Sequence, residues 1–211
     1  MAMAHFSKKS SQQRQLYSTD MEDFHVEICS TININGLEER SLVHELRATI
    51  FGRNYDEACE NETRLLVGEI VGYKLFNHVG GLLIYADEVD QDLSLAISWL
   101  QEQKFENVEF ALRKGCLYLS KVEIRPSWQS KVPVLKTVAT YLQHTIMEGL
   151  VFCRPMPFPK PESQKEVDLK SFRLRQYWSK LGLNSYDSEH NILWEPEWSC
   201  PDWLLGQRQL S

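Results

Sequence analysis

The chain has 211 residues with 29 acidic against 23 basic side chains, a formal charge of −6 at pH 7, so it carries no electrostatic footprint for nucleic acid or an anionic membrane. Apolar residues at 43% and charged ones at 25% describe a soluble globular protein, and no apolar run approaches the roughly 18 residues of a membrane-spanning helix. Only ten glycines are present, where average usage would supply about 15, which disfavours folds that cradle phosphate on glycine-rich loops.

Residues 1–20 are rich in Ser, Gln and Lys and hold no acid before Asp20; they are expected to form a disordered tail ahead of a domain over 21–195. Phe24–Ile34 is β-branched and alternating, which predicts a strand. After Gly36, the spacing of Leu42, Val43, Leu46 and Ile50 predicts an amphipathic helix ending near Gly52. Two strand-like runs, 65–77 and 80–88, surround Asn77–Gly80 and read as a hairpin. Leu93, Ala96, Ile97 and Leu100 mark a helix over 90–104.

A second hairpin is predicted from 107–113 and 116–124, with Pro126 ending its second strand. Val134, Val138, Leu142 and Ile146 form the clearest helical stripe, with Pro133 tolerated in the first turn. Leu150–Cys153 reads as a buried strand. Prolines at 155, 157, 159 and 161 then forbid its continuation and form an extended connector. A last helix around Leu174–Leu181 stops at Gly182, and two short strands surround Ser188–His190. This order gives a mixed α/β fold with a mostly antiparallel sheet flanked by helices.

Five scattered cysteines contain no CxxC pair, and the N-terminus has no signal-peptide core. Free thiols in a reducing cytoplasm are therefore expected. No two of the six histidines are spaced for metal binding on one helix, so no metal is expected. The patterns GxGxxG, P-loop, HExxH and GxSxG are absent.

The stretch 117–149, followed by 174–183, has a strand ending in Ile124-Arg125-Pro126, a polar turn, a long amphipathic helix, a buried strand and a helix ending in Lys180-Leu181-Gly182. This arrangement, over about 65–195, resembles the acetyl-CoA-binding half of the GNAT superfamily of N-acetyltransferases. The resemblance implies a GNAT-like fold in which the strand bonds the pantetheine arm, and Val122 and Ile124 place the thioester. It implies a pyrophosphate turn of pattern R/Q-x-x-G-x-G/A, where backbone N–H groups and the helix dipole hold the anion.

Gln129 takes the first position of that turn, but valines stand at both glycine positions, Val132 and Val134, with Pro133 between. A β-branched side chain obstructs close approach of phosphate, and proline removes a donor. Ser130 and Lys131 are the side chains available to compensate. The tyrosine that protonates the departing thiolate in the family corresponds to Trp178. The adjacent Tyr177, about 100° round the helix, is the available phenol, and Glu123 is the candidate general base for the amine.

Two functions follow from this reading. One is a divergent N-acetyltransferase in which a small-molecule or protein amine attacks acetyl-CoA directly. The other is a catalytically inactive GNAT-fold module that binds a protein partner through its cleft or its Trp-rich tail, residues 196–211. That tail carries Trp198 and Trp203 among prolines and is expected to pack on the domain.

Overall fold

The computed structural model describes residues 23–31, 43–56, 61–76, 86–87, 91–103, 115–129, 131–157 and 161–205. The expected N-terminal tail, the strand expected over 107–113 and Ser130 lie outside the described residues, as does most of the strand expected over 80–88.

Seven strands form one sheet: β1 (Asp23–Thr31), β2 (Val43–Asp56), β3 (Asn61–Leu75), β4 (Cys116–Ile124), β5 (Gly149–Cys153), β6 (Ser185–Asp187) and β7 (Ile192–Trp198). Their spatial order is β1-β2-β3-β4-β5-β7-β6, and β4–β5 is the parallel pair among otherwise antiparallel neighbours. The described helices are α1 (Gln91–Glu102), α2 (Val132–Ile146), α3 (Gln164–Ser179) and the short α4 (Asp202–Leu205). The class is mixed α/β with a mostly antiparallel sheet. None of the described helices is long and apolar enough to cross a membrane.

Alternation along the strands assigns the two faces. Leu117 and Leu119 of β4, with Val151 and Cys153 of β5, join the core beneath α2 and Trp178 of α3. Their neighbours Cys116, Tyr118, Leu150 and Phe152 join the opposite core beneath α1, as a two-residue period requires. Full burial of one such side chain, Phe152, stabilises the fold by about 2–3 kcal/mol. On the α1 face Phe152 lies 5.7 Å from Trp99 and 5.2 Å from Tyr118 between ring centroids.

The helix expected after Gly36 is instead strand β2. Leu46 and Ile50 share a face under a four-residue spacing in either geometry, but the burial of Leu46, Ala48, Ile50 and Gly52 has period two. Pairing with β1 on one side and β3 on the other supplies a ladder that overrides the helical spacing of the apolar residues.

Glycine is required at position 149. Its φ of +153° and the 2.4 Å that would separate a Cβ from the Gly115 carbonyl exclude other residues without a backbone shift. The close approach lets Leu150 N–H donate to Gly115 O at 3.1 Å, which starts the β4–β5 pair. Pro196 lies inside β7, where the register with β5 slips between Gly149–Trp198 and Val151–Glu195 and β6 no longer pairs. A bulge beyond the reach of an edge strand is where a sheet accepts proline. The sheet thus runs on through residue 196 to Trp198, which is fully buried and donates its indole N–H to Leu181 O at 2.7 Å.

A cleft at the fork of β4 and β5

The parallel strands β4 and β5 pair over only four positions, Cys116–Leu119 with Leu150–Cys153. Beyond Leu119, β4 continues for five residues to Ile124 while pairing with β3 alone. The departure of β5 has a cause in the sequence. Pro155 and Pro157 carry no N–H, so the segment after Cys153 cannot extend a ladder to β4. Met156 N–H, the donor between them, is taken by Arg154 O at 2.8 Å.

The fork opens into a cleft of about 640 Å³, a volume suited to a small molecule. One wall is the edge of β4 from Leu119 to Ile124, another is Arg154–Pro157, and α3 closes the third side. A β-bulge sits at the crotch: Gly72 pairs with Leu119 and Val71 with Lys121, so Ser120 is the extra residue. The bulge changes the direction of β4 where its partner leaves. The β4 edge from Val122 to Ile124, past the last β5 pair among the described residues, borders the cleft, where an extended ligand can run alongside it.

Of the residues expected to bind cofactor, Val122, Ile124 and Gln129 line this cleft, as do the candidate catalytic residues Glu123 and Tyr177. Gln129 holds the end of β4, its Nε2 donating to Ile124 O at 2.9 Å. Glu123 is exposed and paired with Lys121 at 2.7 Å. Tyr177 meets the cleft with its neighbour Trp178, their rings edge-to-face at 5.6 Å. The Tyr177 hydroxyl is buried without a hydrogen-bond partner among the described residues, and burial pushes its pKa up to about 12. It keeps its proton at any physiological pH.

Two expected residues do not reach the cleft. Val134 is 1% exposed and belongs to the core under α2, because its place in the first turn of that helix points it at the sheet. The Lys131 ammonium lies 4.1 Å from the centre of the Trp128 ring, a cation–π contact that occupies it. Two of the turn's donors are lost, since Lys131 N–H is directed to Trp128 O at 3.4 Å and Pro133 has none; no side chain caps α2, so the remaining N–H groups of its first turn are not taken up by a cap.

The charge in the cleft comes from elsewhere. Among the described residues, Lys121, Arg154, Lys170 and Arg173 line it with one carboxylate, Glu123, a cationic lining in a chain of net charge −6. Lys170 and Arg173 were not singled out by the sequence, because the last helix was expected to begin near Leu174. The missed signal is Ser163-Gln-Lys-Glu166, a capping box: Ser163 Oγ accepts from Glu166 N–H at 3.3 Å and starts α3 eleven residues before Leu174. Cys153 also lines the cleft, and burial raises its thiol pKa far above the ordinary range. It is a neutral small hydrophobe rather than a nucleophile. Among the described residues, no group of three or more His, Cys, Asp or Glu is placed to hold a metal.

No protein-family model matches the chain, and no curated protein does. Among solved structures, a chain of the KacTA–DNA complex is 11% identical and superposes with a TM-score of 0.34, covering 82% of this chain and 93% of that one. At that score the likeness defines neither fold nor function.

Proposed function

We propose that the chain is a divergent GNAT-like N-acyltransferase that binds acetyl-CoA in the fork between β4 and β5 and acetylates an amine by direct attack on the thioester. The observation that carries this reading is the fork itself. A parallel strand pair that opens after four residues leaves one strand edge facing a cleft of about 640 Å³, which suits an extended, amide-bearing arm. The residues present fit such a ligand: Val122 and Ile124 border it, and cationic side chains stand ready for its phosphates.

Acetyl-CoA supplies the activated acyl group, its carbonyl carbon bonded to a sulfur that leaves with the electron pair. The chain's own residues supply position and proton control. Glu123, carried at the open end of β4, accepts the proton that the amine loses, directly or through water. The Tyr177 hydroxyl, with its proton retained, donates a hydrogen bond toward the departing sulfur. Its high pKa makes complete transfer to a thiolate unfavourable, so it acts by stabilising charge. A neutral Cys153 favours direct attack over a covalent acyl-enzyme.

A second reading, a cleft that binds without catalysis, draws on the same Tyr177 pKa and on the obstructed turn at Val132–Val134. The Trp-rich tail gives it little surface, since Trp198 and Leu204 are buried and Trp203 is the exposed aromatic among the described tail residues. Isothermal titration with acetyl-CoA, followed by thiol release in the presence of simple amines, tests the enzyme reading. The expected result is a Kd on the order of 10 μM, about −7 kcal/mol, with amine-dependent thiol release. Binding without release favours the second reading, and no heat at millimolar ligand overturns acetyl-CoA as the ligand.

A further inference from the structure

We infer that the phosphates of the cleft ligand are held by Lys170 and Arg173 on α3, and not by the turn before α2. The acyl-CoA reading supplies the identity of that ligand, and to this extent the inference rests on it. The cleft face of α3 consists of Lys170, Arg173, Leu174, Tyr177 and Trp178. The spacing i, i+3, i+4, i+7, i+8 places all five on one stripe. At 1.5 Å per residue, Lys170 and Trp178 stand about 12 Å apart along the axis. The stripe is therefore cationic at one end and aromatic at the other, complementary to a molecule with an anionic group about one nanometre from an uncharged end.

Of the other cations of the cleft, Lys121 is paired with Glu123, the proposed base on the same strand, and the less exposed Arg154 with Asp92. Arg173 makes no ion pair among the described residues. Among the described residues Lys170 pairs only with Glu166 one turn upstream, at 2.7 Å and half exposed, a solvent-screened contact that a phosphate displaces readily. Arg173 adds the planar fork that matches two phosphate oxygens at once. The turn before α2 is the weaker competitor: the exposed Val132 side chain stands where a glycine would admit a phosphate, Lys131 is stacked on Trp128, and Pro133 contributes no donor.

The test uses the full chain and three probes: CoA, pantetheine, which lacks the phosphates, and inorganic pyrophosphate. The variants are Lys170→Gln/Arg173→Gln, Lys131→Gln, and Lys165→Gln, the last on α3 outside the cleft lining. The expected result is a loss of CoA affinity of at least about tenfold in the double variant, with a flatter salt dependence. Pantetheine affinity should stay unchanged, and neither single variant should lose more than about twofold. A CoA affinity that falls in Lys131→Gln and not in the double variant overturns the inference while leaving the acyl-CoA reading intact. If wild-type protein binds pyrophosphate and the double variant does not, the anion site stands even where CoA fails to bind and the acyl-CoA reading falls. Wild-type protein that binds neither CoA nor pyrophosphate overturns both.

Discussion

Tyr177 separates stability from function most cleanly. Its hydroxyl is buried and has no partner among the described residues, a condition that costs a folded protein on the order of 1 kcal/mol or more. Removing the oxygen relieves that cost, whereas the proposed reaction uses the same O–H to stabilise the departing sulfur. Tyr177→Phe should therefore raise stability in urea denaturation by about 1 kcal/mol and lower turnover by about 10²-fold. A variant with unchanged stability and unchanged turnover would remove Tyr177 from the chemistry. The tyrosine is legible in the sequence because its neighbour Trp178 lies four positions before Gly182. What could not be read was that Tyr177 and Trp178, about 100° apart on the helix, both meet the same cleft. The stripe of i, i+3, i+4, i+7 and i+8 residues that faces the cleft is broad enough to include both.

Between elements, a charged clamp ties α1 to the turn joining β6 and β7. Asp187 accepts from the indole N–H of Trp99 at 3.0 Å and from the backbone N–H groups of Glu189 and His190 at 2.9 and 3.1 Å. His190 stands between Asp187 and Glu102, with ring nitrogens 3.1 and 3.4 Å from the two carboxylates. The hydrogen bond to Asp187, aided by the surrounding carboxylates, raises the His190 pKa above 6.5. For Asp187, partial burial pushes upward, but the hydrogen bonds from His190, Trp99 and Glu189 outweigh it and lower the pKa below 3.8. The raised histidine contributes stability that is complete below pH 6.5 and is lost as pH rises through its folded-state value. The depressed carboxyl contributes stability present above pH 3.8 and lost as pH falls through its folded-state value. The melting temperature of wild-type protein should thus exceed that of His190→Gln by most between these limits, with the gap narrowing on the alkaline side. A gap that widens toward alkaline pH would contradict the clamp.

The same scale shows what sequence spacing can and cannot resolve. Helix α2 and strand β4 lie close to where their apolar patterns place them, because each pattern fits one period only. Leu46 and Ile50 fit both periods, and the ladder partners that decide for β2 come from β1 and β3, one on each side in the sequence. The proline run after Cys153 was read as a connector; its further consequence, an open fork, requires knowing that β4 lies alongside. Lys170 and Arg173 are not legible from apolar spacing because the start of α3 is written in its cap, at Ser163 and Glu166, rather than in its apolar residues.

For the whole molecule, the scarcity of glycine and the position of charge describe one arrangement. Valine and proline at 132–134 close the turn where backbone donors would surround a phosphate. In the proposed arrangement, Lys170 and Arg173 of α3, which line the cleft, supply the attraction instead. Side chains hold an anion less rigidly than fixed backbone donors and depend more on ionic strength, so the proposed CoA binding should be unusually sensitive to salt.

The central claim is that CoA lies in the β4–β5 fork with its phosphates on α3. Titration of CoA into the isotopically labelled full chain, followed through backbone amide resonances, tests it most directly. The account predicts saturable shifts concentrated at Leu119–Ile124 and around Lys170–Trp178, with the Lys131–Leu135 amides the lesser responders. Shifts centred on Lys131–Leu135, or none at millimolar CoA, would contradict it.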